Sequence, residues 1–289
     1  MKTPKLYIGT AGWTYHDWSP SFYPQNQTSS FNWLTFYSQY FNVVEVNATF
    51  YKPFSEKAVY NWIKKVEACV DFMFVLKLHY SFTHSKRFSN CDVKAFSSML
   101  DLLKREERLG GVLLQFPYSF ECTDVNIKYL GALVNIFEGY DRFVEVRHSS
   151  WENKKARKIT FCTIDQPDIG RSIQFNPLAS NNMAYFRFHG RNEEAWRDSL
   201  KNFGKEMSYD EQNIRYNYLY SPGELLEFER KIREIYHQVK KIYVIMNNHP
   251  KGDAVANAFE MLSLLKDRGK IEIPQTTIQT YSRLVRIAV

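Results

Sequence analysis

Arg187 and His189 alternate with Phe186 and Phe188 in the run Ala-Tyr-Phe-Arg-Phe-His-Gly-Arg from Ala184 to Arg191. An extended backbone puts the two phenylalanines on one face and Tyr185, Arg187 and His189 on the other. A strand buried on both faces cannot carry an arginine and a histidine unless the polar face opens onto a partner or a polar cavity. The same ending recurs along the chain. Glu45 and Asn47 close Val43-Val-Glu-Val-Asn47, and Lys77 and His79 close a run from Met73. Gln115 closes Gly111-Val-Leu-Leu-Gln115, Glu145 and Arg147 close Phe143-Val-Glu-Val-Arg147, Asp165 ends a run from Thr160, and Asn247 and His249 follow a run from Ile242.

Gathered in one place, these are the residue types that acid/base chemistry on an anion requires. Arg147, Arg187 and Lys77 would hold a phosphate or carboxylate, the planar guanidinium offering two parallel bonds. Glu145, Asp165 and His189 would move protons, with Glu45 behind them, and the neighbouring cations would tune their proton affinities. Asn47, Gln115, Asn247, His249, Trp13 and Arg191 complete the expected substrate contacts. The plain alternative is a structural plug in which Glu145 pairs with Arg187 and Asp165 with Arg147.

Other chemistries fit less well. Glu45, Glu145, Asp165, His79 and His189 are metal-ligand types, but no His-x-x-x-His or similar local pair exists and three interspersed cations would oppose a dication, so no metal is expected. Trp13, Trp18, Trp151 and Trp196 could stack on sugar rings, yet a barrel glycosidase would need paired carboxylates where this chain has Gln115 and Arg187. The carboxylate and histidine ligand types leave a metal-dependent, phosphodiesterase-like role as an alternative, and Arg191, Arg197 and Lys201 offer another, a nucleic-acid surface, without any dedicated nucleic-acid motif.

The elements that must position these residues follow from periodicity. Eight strand candidates begin with Leu6–Thr10 and end with Ile242–Asn247, and most are separated by helical patterns. The helical runs are Phe31–Phe41, Ser55–Val70, Asn90–Leu109 with Gly110 as its cap, Asp124–Phe137, a run opened by the capping box Ser221-Pro-Gly-Glu224, and Asp253–Leu265. Alternation of this kind predicts an α/β fold of the (β/α)8 TIM type, somewhat irregular, with short or missing helices between strands five and seven. A doubly wound open sheet is the runner-up; no Gly-x-Gly-x-x-Gly follows the first strand and no phosphate-binding Gly-x-x-x-x-Gly-Lys-Ser/Thr occurs. No cofactor is named by any motif.

At 289 residues, with 16% aromatic and 24% charged residues, the chain suits one large barrel domain over 1–289 and is not disordered. The net charge of +7 favours anionic partners, chiefly a small anionic substrate. Cys69, Cys91, Cys122 and Cys162 are isolated and read as reduced thiols. No apolar run approaches the ~18 residues of a membrane span and the N-terminus has no signal-like segment, so a cytoplasmic protein without membrane contact is expected. The oligomeric state is left open.

Several motifs together carry a family resemblance. They are Tyr7-Ile-Gly-Thr-Ala-Gly-Trp13 with Tyr15, Asp17-Trp18 and Phe22-Tyr-Pro24; Val44-Glu-Val-Asn-Ala-Thr-Phe-Tyr51; Thr83-His84 with Arg87; and Leu113-Leu-Gln-Phe-Pro117. Val144-Glu-Val-Arg-His-Ser-Ser-Trp151, Phe186-Arg-Phe-His-Gly-Arg191 and Asn247-Asn-His249 with Asn257-Ala258 complete the set. Over nearly the whole chain this resembles the YecE-like proteins, domain of unknown function 72. The resemblance implies a TIM-type barrel and brings no agreed activity or catalytic set. Relatives carry a fuller helix between the positions of Trp151 and Asp165, where this chain is short.

Overall fold

The computed structural model describes residues 3–152, 159–201, 208, 211 and 213–289. Its strands are β1 (Lys5–Ala11), β2 (Val43–Val46), β3 (Met73–Lys77), β4 (Leu109–Gln115), β5 (Arg142–Glu145), β6 (Thr160–Phe161), β7 (Thr163–Asp165), β8 (Met183–Phe188) and β9 (Lys241–Met246). They form one nine-stranded sheet in the order β6-β5-β4-β3-β2-β1-β9-β8-β7, every pairing parallel. β6 and β7 are halves of a single extended run interrupted at Cys162. The first half pairs with β5 and the second with β8, while the Cys162 N–H donates to the Val144 carbonyl at 2.9 Å. The sheet is therefore a nearly closed barrel whose ends meet in one stave, in agreement with the eight expected from periodicity.

Helices flank it: α1 (Trp33–Tyr37), α2 (Glu56–Lys65), α3 (Tyr80–Thr83), α4 (Asn90–Arg105), α5 (Asp124–Ile136), α6 (Glu193–Lys201), α7 (Pro222–Arg233), α8 (Asp253–Leu265) and α9 (Gln275–Thr280). Local chemistry starts them where expected. Ser221 and Glu224 close a reciprocal capping box on α7 with Pro222 in the first turn, and Ser55 caps α2 through the Ala58 N–H at 3.3 Å. Three boundaries differ from the periodic reading, the first being that of α2, which the periodicity carries to Val70 and which stops at Lys65. Phe31–Phe41 contributes only the short α1, because Asn32 caps it by accepting from Leu34 and Thr35. Gly110 lies inside β4 and is not a helix cap; α4 stops at Arg105, Glu107 takes the left-handed turn at φ 57°, and the ladder with β3 resumes at Leu109.

No helix lies between β7 and β8, where residues 166–182 are turns and irregular chain. Phe175 fills the space instead, its ring 4.8 Å from Phe228 and 5.8 Å from Phe188. Between β5 and β6 a 3-10 turn at Ser149–Trp151 is present, and the remainder of the expected shortened connector, 153–158, lies outside the described residues. Among the described residues no helix is long and apolar enough to cross a membrane.

Strand alternation divides the apolar residues into two layers. Tyr7, Val43, Val75, Leu113, Phe143, Ile164, Tyr185 and Tyr243 fill the barrel, whereas Ile8, Val44, Phe74, Leu114, Val144, Phe186 and Val244 face the helices. Tyr37 ties the first two strands together from beneath: its hydroxyl accepts from the Thr10 N–H at 2.8 Å and donates to the Val43 carbonyl at 3.0 Å. This close approach requires Gly9, since a Cβ there would sit 2.0 Å from the Val43 oxygen and 2.7 Å from the Tyr37 hydroxyl. Gly9→Ala is expected to lower stability by about 1–3 kcal/mol or more, because rigid backbone must move to admit the methyl; a urea midpoint equal to that of the parent protein would refute this reading of the β1–β2 junction.

Candidate functional site

One step above the apolar layer, the same alternation points Glu45 of β2, Lys77 of β3, Gln115 of β4, Glu145 of β5 and Arg187 of β8 inward, followed by Arg147, His189 and Asn247 just past the strand ends. These are the C-terminal ends of parallel strands, the working face of barrels of this type. The side chains converge. The Arg187 guanidinium, 1% exposed, spans two carboxylates that are themselves 0% exposed. It holds Glu45 in a bidentate pair, Nη2 to Oε1 at 2.6 Å and Nε to Oε2 at 2.9 Å, and donates through Nη1 to Oε2 of Glu145. The Tyr185 hydroxyl adds a bond to Glu45 Oε2 at 2.9 Å, and Arg147 grips Glu145 Oε1 with Nε and Nη2, each at 2.9 Å.

Every oxygen of both carboxylates thereby accepts at least one hydrogen bond, as a buried ionic network requires if it is to offset desolvation. Burial works against ionising Glu145, but Arg187, His189 and Arg147 outweigh it and hold the carboxyl well below its usual range. His189 lies against it, Nε2 to Glu145 Oε2 at 3.3 Å, with the Asn247 amide nitrogen 2.9 Å from Nδ1. The amide donates to Nδ1, which leaves the ring hydrogen on Nε2 facing the carboxylate. Burial keeps this imidazole neutral, its pKa lowered to about 3 even though Glu145 pulls the other way.

Two cations of the mouth keep unused donors. Arg147 makes no hydrogen bond through Nη1 among the described residues, and its guanidinium lies 5.0 Å from the centre of the Trp196 ring. Lys77 is half-buried, and its ammonium has no hydrogen bond or ion pair among the described residues; it lies over the face of Phe50 at 4.3 Å. Burial and the positive charge of Arg187 lower its pKa to about 7, against the pull of Glu45 and Glu145. Around these groups stand Trp196, Tyr216, His249 and Tyr15, with His249 stacked 4.4 Å from Tyr15 and tilted against Tyr216 at 5.6 Å. Burial raises the Tyr216 phenol, but the guanidiniums of Arg215, Arg147 and Arg187 overcome it and bring its pKa below the ordinary value.

Other expected site residues stand apart from this cluster. Ile164 belongs to the barrel interior, so alternation turns Asp165 outward. Its partner is Arg191, with Nη2 to Oδ1 at 2.6 Å, and not Arg147; Tyr220 donates to it at 2.6 Å, and Arg191 also reaches Glu224 at 3.0 Å. Trp13 is turned against Trp62, ring centres 5.9 Å apart. Gln115 spends its amide on the Phe116 carbonyl, and His79 turns away to Ser81 and the Tyr51 carbonyl. Asn47 leaves its Oδ1 buried without a partner among the described residues. Among those residues no three His, Cys, Asp or Glu side chains group as metal ligands; between Glu45 and Glu145, the place a dication would take is filled by Arg187.

Tyr216, Arg215, Tyr185 and Tyr220 were not foreseen as contributors. The run Arg215-Tyr-Asn-Tyr-Leu-Tyr220, with a tyrosine at every second position, was the available signal.

Comparison with known proteins places this geometry in a family. The family described as "Protein of unknown function DUF72" matches residues 7–280. The UPF0759 protein YunF of Bacillus subtilis (strain 168) is 31% identical over 280 residues, covering 90% of this chain and 94% of that protein. A solved DUF72 family protein from Thermotoga maritima, TM1631, superposes with a TM-score of 0.76 at 30% identity, over 91% of this chain and 99% of the other. A second, from Enterococcus faecalis V583, has a TM-score of 0.74 over 90% of this chain and 95% of the other at 23% identity, a likeness of fold.

Arg187→Met should cost about 3–5 kcal/mol by leaving Glu45 buried without a cation and Glu145 with Arg147 alone, and adding Glu45→Gln should recover part of the loss; equal stability of Arg187→Met and the parent in urea would show that the network is not stabilising. The histidines make a second test. His189, at about 3, and His249, lowered by burial to about 4, titrate below the ordinary histidine value of about 6.5. Between those limits the unfolded chain binds protons that the folded chain refuses, so the contribution of these histidines is full above pH ~6.5 and falls as the pH drops toward about 3. Replacing His189 with Gln should flatten that slope, and an unchanged slope would assign it to other groups.

Proposed function

We propose, from the premise that this chain belongs to the DUF72 family of proteins of unknown function, that its barrel mouth is an enzyme site for a small substrate bearing phosphate or carboxylate. The observation that carries the reading is the mismatch of charge. Glu45 and Glu145 are taken up by Arg187 and by one edge of Arg147, which leaves Arg147 Nη1 and the Lys77 ammonium without an acceptor among the described residues. Uncompensated cations at low exposure are unfavourable on their own, and an anion between them removes the penalty.

In this reading Arg147 takes the anion and Trp196 packs beneath the guanidinium. Lys77 is the proton-transfer group. A general acid or base works best with a pKa near the working pH, and Lys77 is the one at about 7. Glu145 is held ionised by the cations around it and His189 is held neutral down to about 3, so neither exchanges a proton near neutrality. Glu45, Arg187 and Glu145 play the part of a structural plug beneath the site: they fix the positions of Arg147 and His189 and contribute no open donor of their own.

A thermal-shift titration with millimolar sulfate at low ionic strength tests the proposal, because sulfate stays dianionic across the range in which Lys77 titrates. At a hundred times its dissociation constant a ligand adds about 2.7 kcal/mol of stability, which is several degrees in a domain of this size. The shift should vanish in Arg147→Ala, shrink in Lys77→Met, and weaken as the pH rises from 6 to 8.5 and the ammonium loses its proton. Equal shifts in the parent and Arg147→Ala would sink the anion site.

A further inference from the structure

We infer that Lys77 is a carbonyl-trapping nucleophile: its amine forms an imine with an aldehyde or ketone that also carries a carboxylate or phosphate, the anionic group lying against Arg147. This rests on the reading of the mouth as an anion site and adds to it a covalent step.

The placement of the side chain is what points there. Lys77 is the last residue of β3 and takes the inward position, two residues beyond Val75 of the barrel interior. Its backbone is pinned by the Thr49 hydroxyl, which donates to the Lys77 carbonyl at 2.7 Å, and its ammonium is set over the Phe50 ring at 4.3 Å. His79, the next residue of the same parity, is drawn off to Ser81 Oγ at 2.8 Å and the Tyr51 carbonyl at 3.2 Å, so it does not cover the amine. The nearest carboxylates, Glu45 and Glu145, are already engaged by Arg187 and Arg147. An ammonium kept for ion pairing would be matched to an acceptor; this one is half-buried, held at its root and left open at its tip.

The electrostatic setting agrees. Burial and Arg187 favour the neutral amine, Arg147 adds to them, and Glu45 and Glu145 oppose, with a pKa of about 7 as the outcome. Desolvation beside other cations is how lysines become nucleophiles at neutral pH. The chemistry balances without any redox partner. The Nζ lone pair attacks the carbonyl carbon, a carbinolamine forms, and the former carbonyl oxygen leaves as water with the two protons of the amine, so one C–N double bond replaces one C–O double bond.

The experiment is reductive trapping of the full chain with sodium cyanoborohydride at pH 7, using pyruvate and dihydroxyacetone phosphate as the carboxylate and phosphate probes and acetaldehyde as the neutral one, followed by peptide mapping. With either anionic probe, Lys77 should be modified at least roughly tenfold faster than exposed lysines such as Lys64 and Lys201, because a far larger fraction of it is unprotonated at that pH. The adduct should disappear in Lys77→Arg, which keeps the charge and stem, while a mapped surface adduct persists as proof that the variant is intact. Arg147→Met should slow trapping of the anionic probes by much more than that of acetaldehyde, whose rate changes only through the lost influence of the Arg147 charge on the amine. Modification of Lys77 no faster than of Lys64 with all three probes overturns the imine, and it does so independently of the anion site if sulfate still shifts the melting temperature. Preferential labelling by acetaldehyde and the anionic probes alike, unchanged in Arg147→Met, would keep the nucleophile and remove the anion site.

Discussion

The arrangement of the barrel mouth depends on one guanidinium. Arg187 reaches inward from β8 and binds carboxylates from β2 and β5, strands that have no direct pairing with β8 in the sheet. It is a cross-brace through the interior, at the level where apolar packing by Tyr185, Phe143 and Tyr243 ends and polar groups begin. A buried arginine is tolerable only with full hydrogen bonding and charge compensation. Two glutamates from two strands meet that requirement, and the Tyr185 hydroxyl donates to one of them, Glu45.

The brace has consequences for every neighbouring group. Because Glu145 is held ionised, Arg147 is anchored by one edge and presents the other, and His189 is fixed between the carboxylate and Asn247. Because both carboxylates are occupied, Lys77 finds no acceptor among the described residues, and burial, with Arg187 beside it, loosens its proton against the pull of Glu45 and Glu145. The structural and the functional readings of the ion pairs are thus complementary: the plug below creates the imbalance above. A second network, Asp165 with Arg191, Tyr220 and Glu224, ties β7 and the end of β8 to α7 and keeps that side of the rim in place without joining the mouth.

Much of this was legible residue by residue. Alternation in Val43-Val-Glu-Val and Phe186-Arg-Phe-His correctly separated inward from outward side chains, and of the two ion pairs of the structural alternative, Glu145 with Arg187 is present and Asp165 with Arg147 is not. Asp165 was misplaced because polarity at a strand end was taken as direction, whereas the parity of Cys162 and Ile164 in the same run turns it outward. Trp13 and Arg191 shared the right end of the barrel but found partners in Trp62 and in Asp165. Tyr216 and Arg215 escape a strand-by-strand reading because the period-two tyrosines that mark them lie on the connection after α6, where the chain forms a 3-10 turn (Ile214–Tyr216) and no strand.

By itself the sequence determined the strand count, the alternation, the helix caps and the family resemblance, because each depends on chemistry within a few residues or on motifs read in order. Only the tertiary structure decided which ionisable groups satisfy one another. Glu45 and Arg187 are 142 residues apart in the chain and 2.6 Å apart in space, and barrel closure through the split strand at Cys162 is what sets that distance. Whether a charge is spent or spare depends on such distances, and so the unmatched state of Lys77 and of the outer edge of Arg147 becomes visible only when the barrel is closed.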